Sequence, residues 1–174
     1  MSTDPQDSLA DGVLEKLEGK DVLRFERHLA HPIERVWEAL TDPGELVGWW
    51  GEAEVDLIEG GRFTVRWLNT DEHGRNSIVM HATITRLDPP NLLETHGDVH
   101  GVLRWELHPD GNGTVLTFSS TLDLPEEYRT LVLAGWHYHL DALAETLDGR
   151  PVDIANLPND HWERVHERYV ARLA

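Results

Sequence analysis

The sequence predicts an α+β domain in which an antiparallel sheet covers a long C-terminal helix. Three observations carry this: a run from Pro125 to Gly149 with helical periodicity, a series of alternating segments between Ala53 and Leu122, and the short connections between those segments.

In the long run, Leu133, Trp136, Leu140, Leu143, Ala144 and Leu147 recur at helical spacing and form one apolar face. Pro125 suits a first turn, Glu126 and Glu127 complement the positive end of the helix dipole, and Gly149 is a left-handed stop. At about 1.5 Å per residue such a helix runs to roughly 33 Å, comparable with a strand of about eight to ten residues. A sheet of such strands is long enough to cover it.

A chain of 174 residues, 40% hydrophobic and with seven Trp, supports a single domain with a substantial core. The net charge of -17, from 32 acids against 15 bases, argues against nucleic acid or an anionic membrane as a partner and reads as solubility. The absence of Cys excludes disulfides, thiolate metal sites and a cysteine nucleophile. Met1 to Ala10 shows no basic-then-apolar signal pattern, and no apolar run reaches about 18 residues, so the expectation is a cytoplasmic protein that does not enter a membrane.

Residues 1–20 read as an N-terminal extension, disordered from Met1 to Asp7. Ser8 to Gly19 then carries Leu9, Val13, Leu14 and Leu17 at helical spacing, which predicts a short amphipathic helix closed by Gly19. Residues 21–149 read as the main domain. Its first strand is Asp21 to Leu29, with Leu23, Phe25 and Leu29 on one face and Arg24, Glu26 and His28 on the other. Arg27 shares the apolar face, so its charge snorkels past the sheet or enters an interior space. Pro32 opens a helix through Ile33, Val36, Trp37 and Leu40 that ends at Asp42-Pro43-Gly44. A second short helix with Leu46, Trp49 and Trp50 is closed by Gly51.

Val55 and Leu57 lead through Glu59-Gly60-Gly61 into a strand in which Phe63, Val65 and Trp67 alternate with Arg62, Thr64 and Arg66. After a polar loop, Asn69 to Asn76, the strand Ser77 to Leu87 sets Ile78, Met80, Ala82 and Ile84 opposite Val79, His81, Thr83 and Thr85, and Pro89-Pro90 breaks it. Leu92 to Gly97, Val102 to His108 and Thr114 to Leu122 follow, the last two joined by Pro109-Asp110-Gly111-Asn112-Gly113. Residues 150–174 form a linker and an amphipathic helix from Asp160 to Leu173, whose stripe of Trp162, Val165, His166, Tyr169, Val170 and Leu173 docks on its own domain or on a second copy.

Several of these features occur together in order: Arg27; Pro32 through Val36-Trp37 and Leu40 to Thr41-Asp42-Pro43; Trp49-Trp50; Gly60-Gly61-Arg62-Phe63; Asp88-Pro89-Pro90-Asn91-Leu92; Trp105-Glu106-Leu107; Gly113-Thr114; Gly135-Trp136. In that combination the chain resembles the SRPBCC proteins of the START/Bet v1-like superfamily, and within them the AHSA1-like group (activator of Hsp90 ATPase homologue 1-like), over roughly Leu23 to Gly149. It departs from the group's pattern at Arg86, His96 and Ser120, where Glu, Trp and His are frequent. The resemblance implies a helix-grip fold, a curved antiparallel sheet of about six or seven strands around the long helix, with two short helices after the first strand and a mostly apolar cavity between sheet and helix.

Eleven His invite a metal hypothesis that spacing does not support. His137 and His139 lie roughly 200° apart on a helix and cannot chelate one ion, while His161 with His166, His96 with His100 and His28 with His31 match no two-ligand signature. No nucleophile elbow, phosphate loop or dinucleotide fingerprint is present. The expectation is no metal, no cofactor and no catalytic group. The residues whose phase could aim polar or aromatic groups into a cavity are Arg27, Trp67, His81, His96, Trp105 and His137, with Trp136, Leu140 and Leu143 as helix wall. A buried Arg27 would need a carboxylate, carbonyls, water or a ligand beside it.

These readings lead to a non-enzymatic protein, monomer or homodimer, that holds a small apolar or aromatic molecule between sheet and helix. A continuous pocket of several hundred Å³ favours it, and a core filled by Trp opposes it. The resemblance also implies two alternatives: an enzyme like the polyketide cyclases and aromatases, which needs a polar pair within about 3 Å of the substrate, and a stress-response protein that contacts an Hsp90-type chaperone, which needs an exposed apolar surface near the last helix.

Overall fold

The computed structural model describes residues 11–68, 78–122, 125–156 and 160–173, and the alternating segments pair into one antiparallel sheet of eight strands. The strands are β1 Val13–Leu17, β2 Lys20–Leu29, β3 Gly51–Val55, β4 Arg62–Trp67, β5 Val79–Asp88, β6 Leu92–Gly97, β7 Gly101–Asp110 and β8 Gly113–Leu122, in the order β1-β2-β8-β7-β6-β5-β4-β3. Only one step is not a neighbour in sequence: β2 pairs with β8, so that Phe25 stands opposite Phe118. That pairing brings the first and last long strands together and lets the sheet curl.

Burial follows the predicted alternation. In β2, Leu23, Phe25 and Leu29 are buried while Arg24, Glu26 and His28 are exposed; in β4, Phe63, Val65 and Trp67 are buried. The inner face packs on helix α1 Ile33–Thr41, the four-residue α2 Pro43–Leu46, and the long helix α3 Arg129–Leu147, which is preceded by a tight turn at Glu126–Tyr128. The expected long helix therefore begins one turn later than Pro125. Gly149 ends it with φ of 80°, the left-handed geometry that glycine adopts without strain.

The segment expected to be a helix through Val13, Leu14 and Leu17 is instead β1, an eighth strand beyond the six or seven expected. Glu18 and Gly19 both have positive φ, at 51° and 81°, and Leu17 pairs with Lys20, which makes a two-residue hairpin turn of the kind that matches strand twist. The apolar residues of β1 share no buried face, since Val13 and Leu17 are both exposed and only Leu14 packs on the core. Pairing with an open sheet edge outweighs weak helical periodicity here.

Gly51 also has a different role from the one expected. It begins β3, and a Cβ there would lie 2.3 Å from the Arg66 carbonyl oxygen, so glycine permits close strand approach and does not cap a helix. The predicted disordered stretch Met1 to Asp7 and polar loop Asn69 to Asn76 lie outside the described residues.

The terminal helix α4 Asp160–Leu173 packs on α3 through Val165 and Tyr169, reached through a short turn at Ile154–Asn156 whose Ile154 is buried. With the sheet on one side and α4 on the other, α3 is buried on most of its circumference: His137, Tyr138, His139 and Ala142 are buried along with Trp136, Leu140 and Leu143. A single apolar face was expected, and the docked terminal helix is the reason for the second.

Candidate ligand site

The space between sheet and α3 is built from aromatic rings. β4 supplies Trp67, β7 Trp105, β8 Phe118 and α3 Trp136, while the turn after α2 adds Trp49 and Trp50. Trp50 sits among them, with ring centroids 5.2 Å from Trp136, 5.4 Å from Trp67 and 5.9 Å from Trp105, and Phe118 lies 4.2 Å from Trp105 and 4.5 Å from Trp136. Trp50 meets Trp136 and Trp67 edge-to-face, a favoured geometry for aromatic pairs, and the other three pairs are tilted. Trp49 is fixed by donating its indole N–H to the Ala39 carbonyl at 2.9 Å, which ties the cluster to α1. The middle of the expected cavity is thus filled by indoles.

What remains is a cleft of about 190 Å³ beside the first half of α3, lined by Trp67, Ile78, Val99, His100, Leu131, Val132, Gly135, Trp136 and His139. No lining residue carries a formal charge at neutral pH. A Cβ built on Gly135 would have no heavy atom within 4 Å, so the helix contributes open space at that position. Two of the sequence-predicted residues, Trp67 and Trp136, meet in this cleft. Trp105 is buried deeper in the cluster, and Leu140 and Leu143 belong to the closed core.

His139 is fully satisfied. Burial pushes its pKa down to about 4, so it is neutral; Nδ1–H donates to the Trp49 carbonyl at 2.9 Å, and Nε2 accepts the Trp67 indole N–H at 3.1 Å. His100 is also neutral, pushed down to about 4 by burial and then by His139. Its ring lies 5.3 Å from Trp67 and 5.2 Å from Trp136, yet its Nδ1 has no hydrogen-bond partner among the described residues, and neither do the indole N–H groups of Trp136 and Trp50. Unpaired buried polar atoms are rare enough that each needs an explanation.

Arg27 and His137 lie on the other side of α3, in a polar cluster that joins β2, α3 and α4. Arg27 donates to Asp141 Oδ1 at 2.8 Å; Asp141 Oδ2 is 2.9 Å from His161 Nε2 and 3.4 Å from His137 Nε2. Burial pushes the Asp141 carboxyl up, but His137, the Arg27 guanidinium and hydrogen bonds from Arg27 and His161 outweigh it and hold it below its ordinary value. Since burial lowers His137 to about 4, Arg27 is the charge that does this at neutral pH. The partner that a buried Arg27 requires is therefore a carboxylate of the protein.

His81 and His96 stand exposed on the outer face of the sheet and are removed from the site. The phase explains both: His81 alternates with buried Met80 and Ala82, and His96 follows buried Thr95. Sequence reasoning missed His100, His139 and Gly135. His139 was accessible, being three residues from Trp136 and so on the same side of the helix; His100, in the β6–β7 turn, left no periodic signal.

A larger concavity lies elsewhere. A groove of about 550 Å³ runs between α3 and α4 beside Tyr138, Asp141, Glu145, Val152, His161 and Arg164. Its Asp141 is held by Arg27 and His161, and its Glu145 by Arg150, so a ligand there would have to displace existing partners. Among the described residues, no group of three or more His, Asp or Glu is placed to hold a metal ion, and no helix is long and apolar enough to cross a membrane.

A sequence model of the Activator of Hsp90 ATPase homolog 1-like protein matches residues 30–148, more than half of the chain. The chain belongs to this family. The matched region includes α1, α2, β3 to β8 and all of α3; β1, β2 and α4 lie outside it. Among solved structures, this member of the activator of Hsp90 ATPase homolog 1-like family is similar to CalU16 from Micromonospora echinospora, at 23% identity over 92% of this chain and 96% of that one, with a TM-score of 0.70. A Bordetella parapertussis protein, encoded by gene BPP1335, is 27% identical over 98% of this chain and 95% of its own, with a TM-score of 0.65. DynU16, a protein of the dynemicin biosynthetic locus, is 23% identical over 75% of this chain and 48% of its own, with a TM-score of 0.65. These likenesses establish the helix-grip fold. No curated protein matches the chain in sequence.

Proposed function

We propose that this protein binds a small, uncharged, largely apolar molecule in the cleft between the sheet and the long helix and does not transform it. The observation that carries the reading is the cleft of about 190 Å³ walled by Trp67, Trp136, His100 and His139, with apolar Ile78, Val99 and Leu131 completing the lining. An apolar cavity of about 150 Å³ is enough to hold benzene, so the cleft suits a single ring or a short branched chain. The place of DynU16 in a biosynthetic locus is consistent with a small-molecule role for this fold. The closed indole cluster limits the ligand to the cleft and excludes a large polycyclic guest within the core. Catalysis is not part of the reading: the lining holds no carboxylate or cation, His139 already has both nitrogens engaged, and His100 has no acid or base in the lining to work with.

The test is native mass spectrometry of the purified protein together with Trp fluorescence during titration with toluene. A retained small molecule, or saturable quenching that the Gly135→Leu substitution abolishes, is the expected result. Quenching of equal size in Gly135→Leu would overturn it, since a leucine side chain projects into the cleft.

A second reading, contact with a protein partner, draws on Val170 and Leu173, which stand exposed on α4 beside Leu14. Pull-down with a purified Hsp90-type chaperone before and after Val170→Asp tests it; no binding by the unsubstituted protein removes it.

A further inference from the structure

We propose that the ligand of the cleft is a neutral single-ring aromatic bearing a hydroxyl group, its oxygen held between the indole N–H of Trp136 and Nδ1 of His100. This rests on the cleft being the ligand site and adds the chemical class of the occupant.

The first ground is the pair of unsatisfied atoms. Trp136 is only 2% exposed, and its N–H has no acceptor among the described residues; His100 Nδ1, on the neighbouring ring, has no partner either. Leaving a buried donor or acceptor unpaired costs about 1–3 kcal/mol. T-shaped neighbours such as Trp50 offer at most an N–H···π contact, which is weaker. Both residues line the cleft with ring centroids 5.2 Å apart, so a single small ligand there meets both rings.

The second ground is the kind of oxygen. A carbonyl oxygen only accepts, so it serves Trp136 and His100 together only if His100 carries its proton on Nδ1. A hydroxyl serves either tautomer, because it accepts from Trp136 and then either donates to Nδ1 or accepts a second bond from it. The third ground is charge. The lining carries no Asp, Glu, Lys or Arg, and a carboxylate or ammonium group on the ligand would be buried without a counter-ion. Size and aromatic walls supply the rest: about 190 Å³ between indole and imidazole faces fits one ring packed edge-to-face.

The experiment uses the full-length protein and three probes of similar size, phenol, toluene and benzoate, titrated by calorimetry, with the assigned Trp136 indole resonance followed by NMR. Phenol should bind at least about tenfold more tightly than toluene, because a site built to bond a hydroxyl discriminates against the analogue that lacks it; benzoate should not bind, and the Trp136 N–H resonance should move with phenol only. His100→Phe, which keeps a ring but removes the nitrogen, should bring phenol and toluene to the same affinity. Trp136→Phe should do the same where it folds, and the His100 variant decides where it does not. Equal binding of phenol and toluene by the unsubstituted protein overturns the hydroxyl anchor and leaves the cleft standing. Failure of all three to bind overturns the cleft as well, as does an indole resonance that reports only a bridging water and no response to phenol.

Discussion

Tyr169→Phe is the sharpest test of how the terminal helix is held. Tyr169 is fully buried, and its hydroxyl accepts the Gly12 backbone N–H at 2.7 Å while lying 2.9 Å from His137 Nδ1. Burial pushes the phenol up to about 12 and His137 down to about 4, so at pH 7 both are neutral and the direction of each bond follows. Tyr169 donates to Nδ1, and His137 Nε2–H points to Asp141 Oδ2 at 3.4 Å. Phenylalanine keeps the ring and its packing on His137 but strips partners from two groups, one on each side. At about 1–3 kcal/mol for each buried group left unpaired, the expected loss is about 3 kcal/mol, read at pH 7 as a lower urea midpoint with an unchanged slope. Arg168 and Arg172 hold Asp11 independently, so α4 should stay docked until the whole domain unfolds. A loss below about 0.5 kcal/mol would refute the reasoning, because it would mean that water or a shift of His137 replaces both bonds. A biphasic transition would refute the claim that α4 and the core unfold together.

Three further outcomes follow from the same geometry. Gly135→Ala should raise stability by about 0.5–1 kcal/mol, since alanine favours the helix and its Cβ meets no atom within 4 Å; a lower thermal midpoint would show that the cleft is closed there. Asp141→Asn should cost about 2–3 kcal/mol in urea unfolding, less than a fully buried pair, because the Asp141 side chain is 33% exposed while Arg27 at 11% loses its carboxylate; an unchanged midpoint would show that Arg27 finds another partner. Stability should fall as pH drops from about 6.5 to about 4, because His100, His137 and His139 each have a folded pKa near 4, below the ordinary value of 6.5, so the unfolded chain takes up protons first. For each such histidine the slope approaches about 1.4 kcal/mol per pH unit. Around His137 the acids Asp141 and Asp11 oppose burial, Arg27 and Arg168, so a slope worth only two histidines would mean that the acids outweigh burial there, and a flat profile of urea midpoints between pH 7 and pH 5 would refute the burial argument for all three.

The parts of the fold that were legible in the sequence are those in which one local pattern decides the outcome. Alternation in β2, β4 and β5 has a period of two and one buried face, so each residue's side of the sheet could be read directly. Even the two misplaced histidines yield to it, because Met80 and Ala82 already put His81 outside. β1 was not legible for the converse reason: an edge strand with both Val13 and Leu17 exposed has no buried face to impose a period, and its identity comes from backbone pairing with β2 and the positive φ of Glu18 and Gly19. The all-round burial of α3 depends on a contact more than twenty residues away in sequence, where Val165 and Tyr169 settle on it.

The site divides along the same line. Trp67 and Trp136 could be nominated because strand and helix phase point them inward, but phase says nothing about volume. Whether indoles leave a cavity or fill it depends on how Trp49 and Trp50, from a turn with no period, pack between them. They take most of the space, and the cleft survives where α3 carries Gly135 in place of a side chain. The helix histidines make the point at atomic scale. The angular argument that separated His137 from His139 as metal ligands was correct, yet both are buried, because each face of α3 meets a different polar partner: Tyr169 and Asp141 on one side, Trp49 and Trp67 on the other. His100 is the exception that marks the site, a half-buried imidazole beside the cleft whose Nδ1 has no hydrogen-bond partner among the described residues.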